Sequence, residues 1–141
     1  MIKFLESESE LLEGYHVLKE LRTSLSEKEF FKHLPQMQKE GYQLVGLEVE
    51  SHLVAVAGII PLTNFYHGKH IYIYDLVTKA SVRSKGYGER LLDYILEMAK
   101  EEGYENISLS SGLQRITAHR FYEEKMNFSK TSFVFVKPLN E

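Results

Sequence analysis

Asp75-Leu76-Val77-Thr78-Lys79-Ala80-Ser81-Val82-Arg83-Ser84-Lys85-Gly86-Tyr87-Gly88-Glu89-Arg90-Leu91-Leu92 leads from a β-branched, aromatic stretch through a short basic loop into an apolar pattern at helical spacing. A strand, a glycine-containing loop and a helix start, in that order, suit an anion. The first N–H groups of a helix have no partner inside it, and the aligned peptide dipoles place partial positive charge at that end. Gly86 and Gly88 let a diphosphate approach the backbone, and Arg83 and Lys85 add charge. Two cations beside paired glycines favour a phosphate role over plain solvated charge. The common nucleotide motifs do not fit, because no Gly-Lys-Ser/Thr occurs and Leu91 stands where a dinucleotide fingerprint has its third glycine.

Downstream, Leu91, Leu92, Ile95, Met98 and Ala99 mark one face of a helix that stops at Gly103, and Asn106–Ser110 reads as a strand. Thr117 to Met126 carries Ala118, Phe121 and Tyr122 on one stripe, and Phe128–Val136 reads as a last apolar strand. Upstream, Tyr42–Val49, His52–Ile60 and Lys69–Thr78 are predicted antiparallel strands, with Thr63–Gly68 a polar loop. Ile2–Leu5 is a short strand, and Ser7-x-x-Glu10 is a capping box ahead of Leu11, Tyr15 and Leu18. Ser26 to Glu29 repeats the capping signature before Phe30, Phe31, Leu34 and Met37, with Pro35 expected to kink or split that helix. The predicted order is β-α-α-β-β-β-α-β-α-β, a mixed α/β fold.

The chain has 141 residues, no repeat and no linker-like tract, so a single domain over residues 1–141 is expected. Absence of cysteine removes thiol nucleophiles, Cys-rich zinc sites and redox pairs, and no metal is expected. A formal charge of −3 argues against general attraction to nucleic acid or anionic membrane. The start of the chain lacks the apolar run of a signal peptide, and no stretch approaches the length of a membrane span, so a cytoplasmic protein is expected.

Arg83-Ser84-Lys85-Gly86-Tyr87-Gly88 resembles the acetyl-CoA signature of the GNAT superfamily of N-acyltransferases, Arg/Gln-x-x-Gly-x-Gly/Ala. Ala118-His119-Arg120-Phe121-Tyr122-Glu123-Glu124-Lys125-Met126-Asn127-Phe128 is similar to a second, independent family pattern, Ala-x-x-Phe-Tyr-x-x-x-Gly-Phe. The element order is similar as well, so the resemblance covers nearly the whole chain, and it implies a mostly antiparallel sheet flanked by helices. Asn127 departs from the usual glycine, but asparagine enters the left-handed conformation more readily than other residues with side chains. Arg115 stands where many members carry a cofactor-contacting asparagine, and arginine there reaches a phosphate, reaches a substrate carboxylate or lies in solvent.

The resemblance implies acetyl-CoA as cosubstrate, with the pantetheine arm pairing along Leu76, Val77 and Thr78 and the diphosphate at Arg83, Ser84, Lys85, Gly86, Tyr87 and Gly88. It implies direct attack by a primary amine, with a backbone N–H donating to the oxyanion of the tetrahedral intermediate. Tyr122 matches the family's acid for the departing thiolate, against the plain reading of a core tyrosine on an amphipathic helix. Asp75, the acidic residue in the apolar run Ile71–Val77, is the candidate base. Strand alternation places it with Ile71, Ile73 and Val77, where a structural role bonded to backbone is the alternative, and a bound water or deprotonation of the amine before binding serves equally well as base. His119 suits acid–base chemistry by its pKa, but a lone helix histidine is more often solvated or packed. Tyr72, Tyr74, Phe65 and Tyr66 read first as core or cross-strand aromatics and second as an amine pocket. The expected acceptor is a small amine (a polyamine, amino sugar or amino-acid-like amine) or a peptide or protein amine. A homodimer is compatible with the family. The rival reading is a non-catalytic acyl-CoA-binding or sensing module.

Overall fold

Ser7 and Glu10 satisfy each other's backbone at the start of the first helix. Ser7 Oγ accepts from the Glu10 N–H at 3.2 Å, and Glu10 Oε1 accepts from the Ser7 N–H at 3.0 Å. In the computed structural model, which describes residues 1–140, this box opens α1 (Glu8–Leu18) behind β1 (Ile2–Phe4). Backbone N–H groups of Ser7 and Glu6, then Lys3, pull the Glu10 carboxyl from its ordinary 4.5 down to about 2. A carboxyl whose pKa is depressed on folding stabilises the fold above the unfolded pKa, and that contribution disappears as pH falls through the folded value. Glu10→Gln should therefore unfold at lower urea concentration than wild type at pH 7, and the gap should close by about pH 2.

The chain forms two units, one spanning Met1–Leu109 and one beginning at Ser110. In the first, β2 (Gln43–Val49), β3 (His52–Asn64), β4 (Gly68–Thr78) and β5 (Asn106–Leu109) join β1 in a five-stranded sheet of order β1-β2-β3-β4-β5. Neighbours are antiparallel except β4 and β5, which run parallel. One face buries Tyr42, Leu44, Val56, Ile60 and Val77 against Tyr15, Leu18, Phe30 and Leu34 of α1 and α2 (Glu27–Lys39). The alternate residues Ala55, Ala57 and Ile59 are equally buried on the other face, where α3 (Tyr87–Glu101) packs through Leu91, Leu92 and Ile95. This is the mixed, mostly antiparallel, helix-flanked architecture expected.

Four local expectations change. Pro35 does not split α2, which runs through it to Lys39. Buried Phe30 and Leu34 hold the turn preceding the missing N–H, so packing outweighs the lost bond. The β3–β4 hairpin is longer than its polar composition suggested, because Asn64↔Gly68 still pair and only Phe65–His67 turn. Register slips between Gly58↔Asp75 and Ile59↔Ile73, so Tyr74 is the extra residue of a β-bulge. That bulge inverts the alternation, and Asp75 shares a face with Tyr72 and Val77, opposite Ile71 and Ile73.

The fourth change is at the end of the chain. Phe128–Val136 forms neither helix nor strand, and Phe133, Val134, Phe135 and Val136 are exposed. An apolar run gives a segment the capacity to be a strand. A ladder also needs a neighbour to take its backbone hydrogen bonds, and no strand pairs with this run among the described residues. The second unit instead holds α4 (Ile116–Arg120) followed by one wide π-helical turn, Phe121–Lys125.

Candidate active site

The parallel partner of β4 is short. β5 pairs with His70, Ile71, Tyr72 and Ile73 and ends there, so no strand takes the same side of Leu76–Thr78 among the described residues. The Lys79 N–H donates to the Val54 carbonyl at 2.9 Å across the β3 side. Counting back by twos, Val77 and Asp75 also turn their N–H and C=O groups toward β3. Leu76 and Thr78 therefore turn theirs to the open side. Arg83 Nε donates to the Thr78 carbonyl at 3.3 Å, which agrees with that direction.

A 3₁₀ turn, Ala80–Val82, carries the chain from this edge to α3. Gly86 caps α3 with φ +79°, in the left-handed region that favours glycine, and as the N-cap residue it makes no side-chain cap bond. Its leading N–H groups are thus left for a ligand. A Cβ on Gly86 would meet nothing within 4 Å, so the cradle is open. Gly88 serves differently: a Cβ there would lie 3.3 Å from Thr78 Oγ1, so its absence lets the helix start approach the strand end. Arg83, Ser84 and Lys85 are exposed on the loop, and Tyr87 lies under the Arg90 guanidinium.

Asp75 has a cation beside it that sequence spacing did not reveal. Arg22 Nε donates to Asp75 Oδ1 at 2.6 Å, Nη2 lies 2.6 Å from the same oxygen, and Nη2 reaches the Tyr74 carbonyl at 3.4 Å. The partners are separated by 53 residues, and only the bulge that turns Asp75 toward the α1 face lets them meet. Tyr72 and Tyr74 of β4 and Tyr42, just before β2, pack in a chain of ring contacts. Burial, with Asp75 and Tyr74 adding to it, pushes the Tyr42 phenol above its ordinary value, so it stays protonated. A Cβ on Gly58 would collide with the Tyr42 hydroxyl, which is why glycine stands in β3 at that point.

The second unit holds the other expected residues. Tyr122 is buried in the wide turn, its ring edge-on to Phe121 and Phe128, and its carbonyl accepts from the Phe128 N–H at 2.8 Å. Asn127 takes φ +61°, the left-handed value that its replacement of glycine required. Arg115 sits at the start of α4, half-buried, with its carbonyl accepting from the His119 N–H. The His119 ring is 2.8 Å from the Gly112 carbonyl. The structure thus brings Asp75, Leu76, Val77, Thr78 and Arg83–Gly88 together in the first unit, with Arg115 and Tyr122 in the second.

A family model described as the acetyltransferase (GNAT) family matches residues 8–128, across both units. The chain belongs to the GNAT family. It is 44% identical over 139 residues to the uncharacterized N-acetyltransferase YhdJ of Bacillus subtilis (strain 168), covering 98% of each chain. It is 33% identical over 88 residues to the aminoalkylphosphonate N-acetyltransferase of Salmonella typhimurium (strain LT2), covering 60% of this chain and 56% of that one. In fold it is similar to an aminoglycoside N-acetyltransferase in complex with CoA, with a TM-score of 0.80 at 10% identity over 99% of this chain and 95% of that one. As a GNAT acetyltransferase it is a transferase of acyl groups. Among the described residues no helix is long and apolar enough to cross a membrane, and no cluster of three or more His, Cys, Asp or Glu side chains is placed to hold a metal ion.

Proposed function

We propose that this acetyltransferase moves the acetyl group of acetyl-CoA to a primary amine by direct attack in a ternary complex, with residues 1–141 acting as one domain. The continuity of Leu76–Thr78, whose outer edge no strand pairs among the described residues, with the start of α3 carries this reading. An extended pantetheine arm adds to such an edge as a strand would, and its diphosphate then meets the free N–H groups and Arg83 and Lys85. Bound there, acetyl-CoA supplies the thioester carbonyl that the amine attacks, so a C–N bond forms and the C–S bond breaks.

The chain's own groups have three tasks. The N–H groups of Leu76 and Thr78 face the open edge and are placed to donate to the carbonyl oxygen as negative charge develops on it. Asp75, beside that edge, accepts the hydrogen bond of the incoming ammonium and passes its proton on to water. Tyr122 gives its phenolic proton to the departing thiolate, a role supported by its place in the Phe121-Tyr122 motif. Arg115 is assigned to the cofactor on the same ground of position. The Salmonella relative is named for a small molecule that joins an amine to a phosphonate, which supports a small acceptor over a protein amine.

Calorimetric titration with acetyl-CoA, ATP and NAD tests the assignment. Saturable binding of acetyl-CoA without competition by either nucleotide is the expected result, and no binding by folded protein would overturn it. Gly86→Glu should weaken that binding by about tenfold or more, about 1.4 kcal/mol, because its side chain and charge enter the cradle. Gly103→Glu supplies the control. Gly103 has φ +82° and the same open surroundings at the far end of α3, so it carries equal backbone strain and no phosphate role.

A further inference from the structure

The turn after α1 touches the chain on both sides of the proposed acetyl site, at Asp75 in β4 and at Ala80 in the 3₁₀ turn that follows it. Glu20 Oε1 accepts from the Ala80 N–H at 2.7 Å, and Arg22 Nε donates to Asp75 Oδ1 at 2.6 Å. Leu76–Thr78 lies between those anchors. The α1–α2 connection is therefore held beside the reacting segment, and Arg22 is the cation it places there.

The guanidinium is fixed along one edge only. Nε and Nη2 engage Asp75, while Nη1 has no partner among the described residues. Its side chain is 54% exposed, against 11% for Asp75. The pair thus opens to solvent on the Arg22 side only. Anchored through Nε and Nη2, the guanidinium still offers the two N–H donors of Nη1, which a carboxylate or phosphonate oxygen accepts. Tyr72, on the same face of β4 as Asp75, and Tyr42 both contact the Tyr74 ring beside this pair.

We propose that Arg22 binds an acid group on the acceptor, so that the substrate class is a small molecule carrying a primary amine beside a carboxylate or phosphonate. This rests on the acetyl-transfer reading above. A polyamine would set a second ammonium against Arg22, and an amino sugar would leave the free donors unmatched. Arg22 then fixes the acid end, and the amine lies against Asp75 and the Leu76–Thr78 edge. The ion pair reads both charges of a zwitterion.

The test pairs acids with their neutral counterparts: L-amino acids with their amides, and 2-aminoethylphosphonate with ethanolamine, alongside spermidine and glucosamine. CoA release is followed by thiol detection, and acetyl-CoA affinity by titration. The best acceptor should be an acid-bearing amine, preferred over its neutral partner by about ten- to a hundredfold in kcat/KM. The carboxylate and phosphonate pairs report which acid is taken. Arg22→Gln should erase that preference and leave acetyl-CoA affinity intact, and Arg22→Lys should retain part of it. The preference is a ratio within each variant, so a reduced folded fraction cancels. A neutral or polycationic best acceptor, a preference that survives Arg22→Gln, or no turnover of any acid-bearing amine by protein that binds acetyl-CoA would each overturn the proposal. Failure to bind acetyl-CoA at all would instead remove the acetyl-transfer reading, and this one with it.

Discussion

Tyr122→Phe is expected to lower kcat by about 10²–10⁴-fold, the usual contribution of a positioned general acid, while acetyl-CoA binds as in wild type. The substitution removes one oxygen. The ring stays, and with it the edge contacts to Phe121 and Phe128 that bury the residue in the wide turn, so the second unit should keep its packing. A tyrosine that served only as a core ring would lose almost nothing, because phenylalanine fills the same volume. Stopped-flow detection of CoA separates the outcomes. Slow release with unchanged acetyl-CoA affinity supports the assignment, and a wild-type rate refutes it. A protein that binds acetyl-CoA but turns over no amine, before or after the change, is the non-catalytic acyl-CoA module.

Local signals in the chain were reliable where the physics is local. Ser7 and Glu10 form a capping box because both partners lie within one helical turn, and Asn127 takes a positive φ because a helix end needs one there. The strand, loop and helix start around Gly86 were legible for the same reason: backbone conformation, glycine placement and charge all fall within Asp75–Leu92. What escaped depends on pairing between distant segments. The bulge at Tyr74 is a mismatch in register between β3 and β4, and no periodicity within β4 reveals it. Without it Asp75 is assigned the wrong face and Arg22 has no visible partner. Tyr42 is invisible in the same way, since only the β2–β3–β4 register sets it across Gly58 and beside Tyr74. Phe128–Val136 shows the limit from the other side, for its apolar composition names a strand but cannot supply the neighbour that would make it one.

Ile95→Ala should cost about 2–5 kcal/mol, the range for truncating a fully buried aliphatic side chain, and lower Tm by about 8–20 °C. Ile95 has no exposed surface and lies in α3 one turn beyond Leu91 and Leu92, which are equally buried. These three side chains hold α3 on the sheet face formed by Ala55, Ala57 and Ile59. Alanines on the β3 side bring the helix close and leave little slack for neighbours to collapse into the space vacated, which favours the upper part of the range. The loss would be a large share of the roughly 5–15 kcal/mol that holds such a domain together. It should also reach the cofactor, because the free N–H groups at Gly86–Gly88 are aimed by the same helix. Thermal unfolding measured with and without saturating acetyl-CoA checks both parts. Ligand that binds only folded protein raises Tm in either variant, so the mutant should unfold earlier in each condition and recover part of the deficit when acetyl-CoA is present. A Tm within about 2 °C of wild type would mean that α3 is held elsewhere than through Ile95.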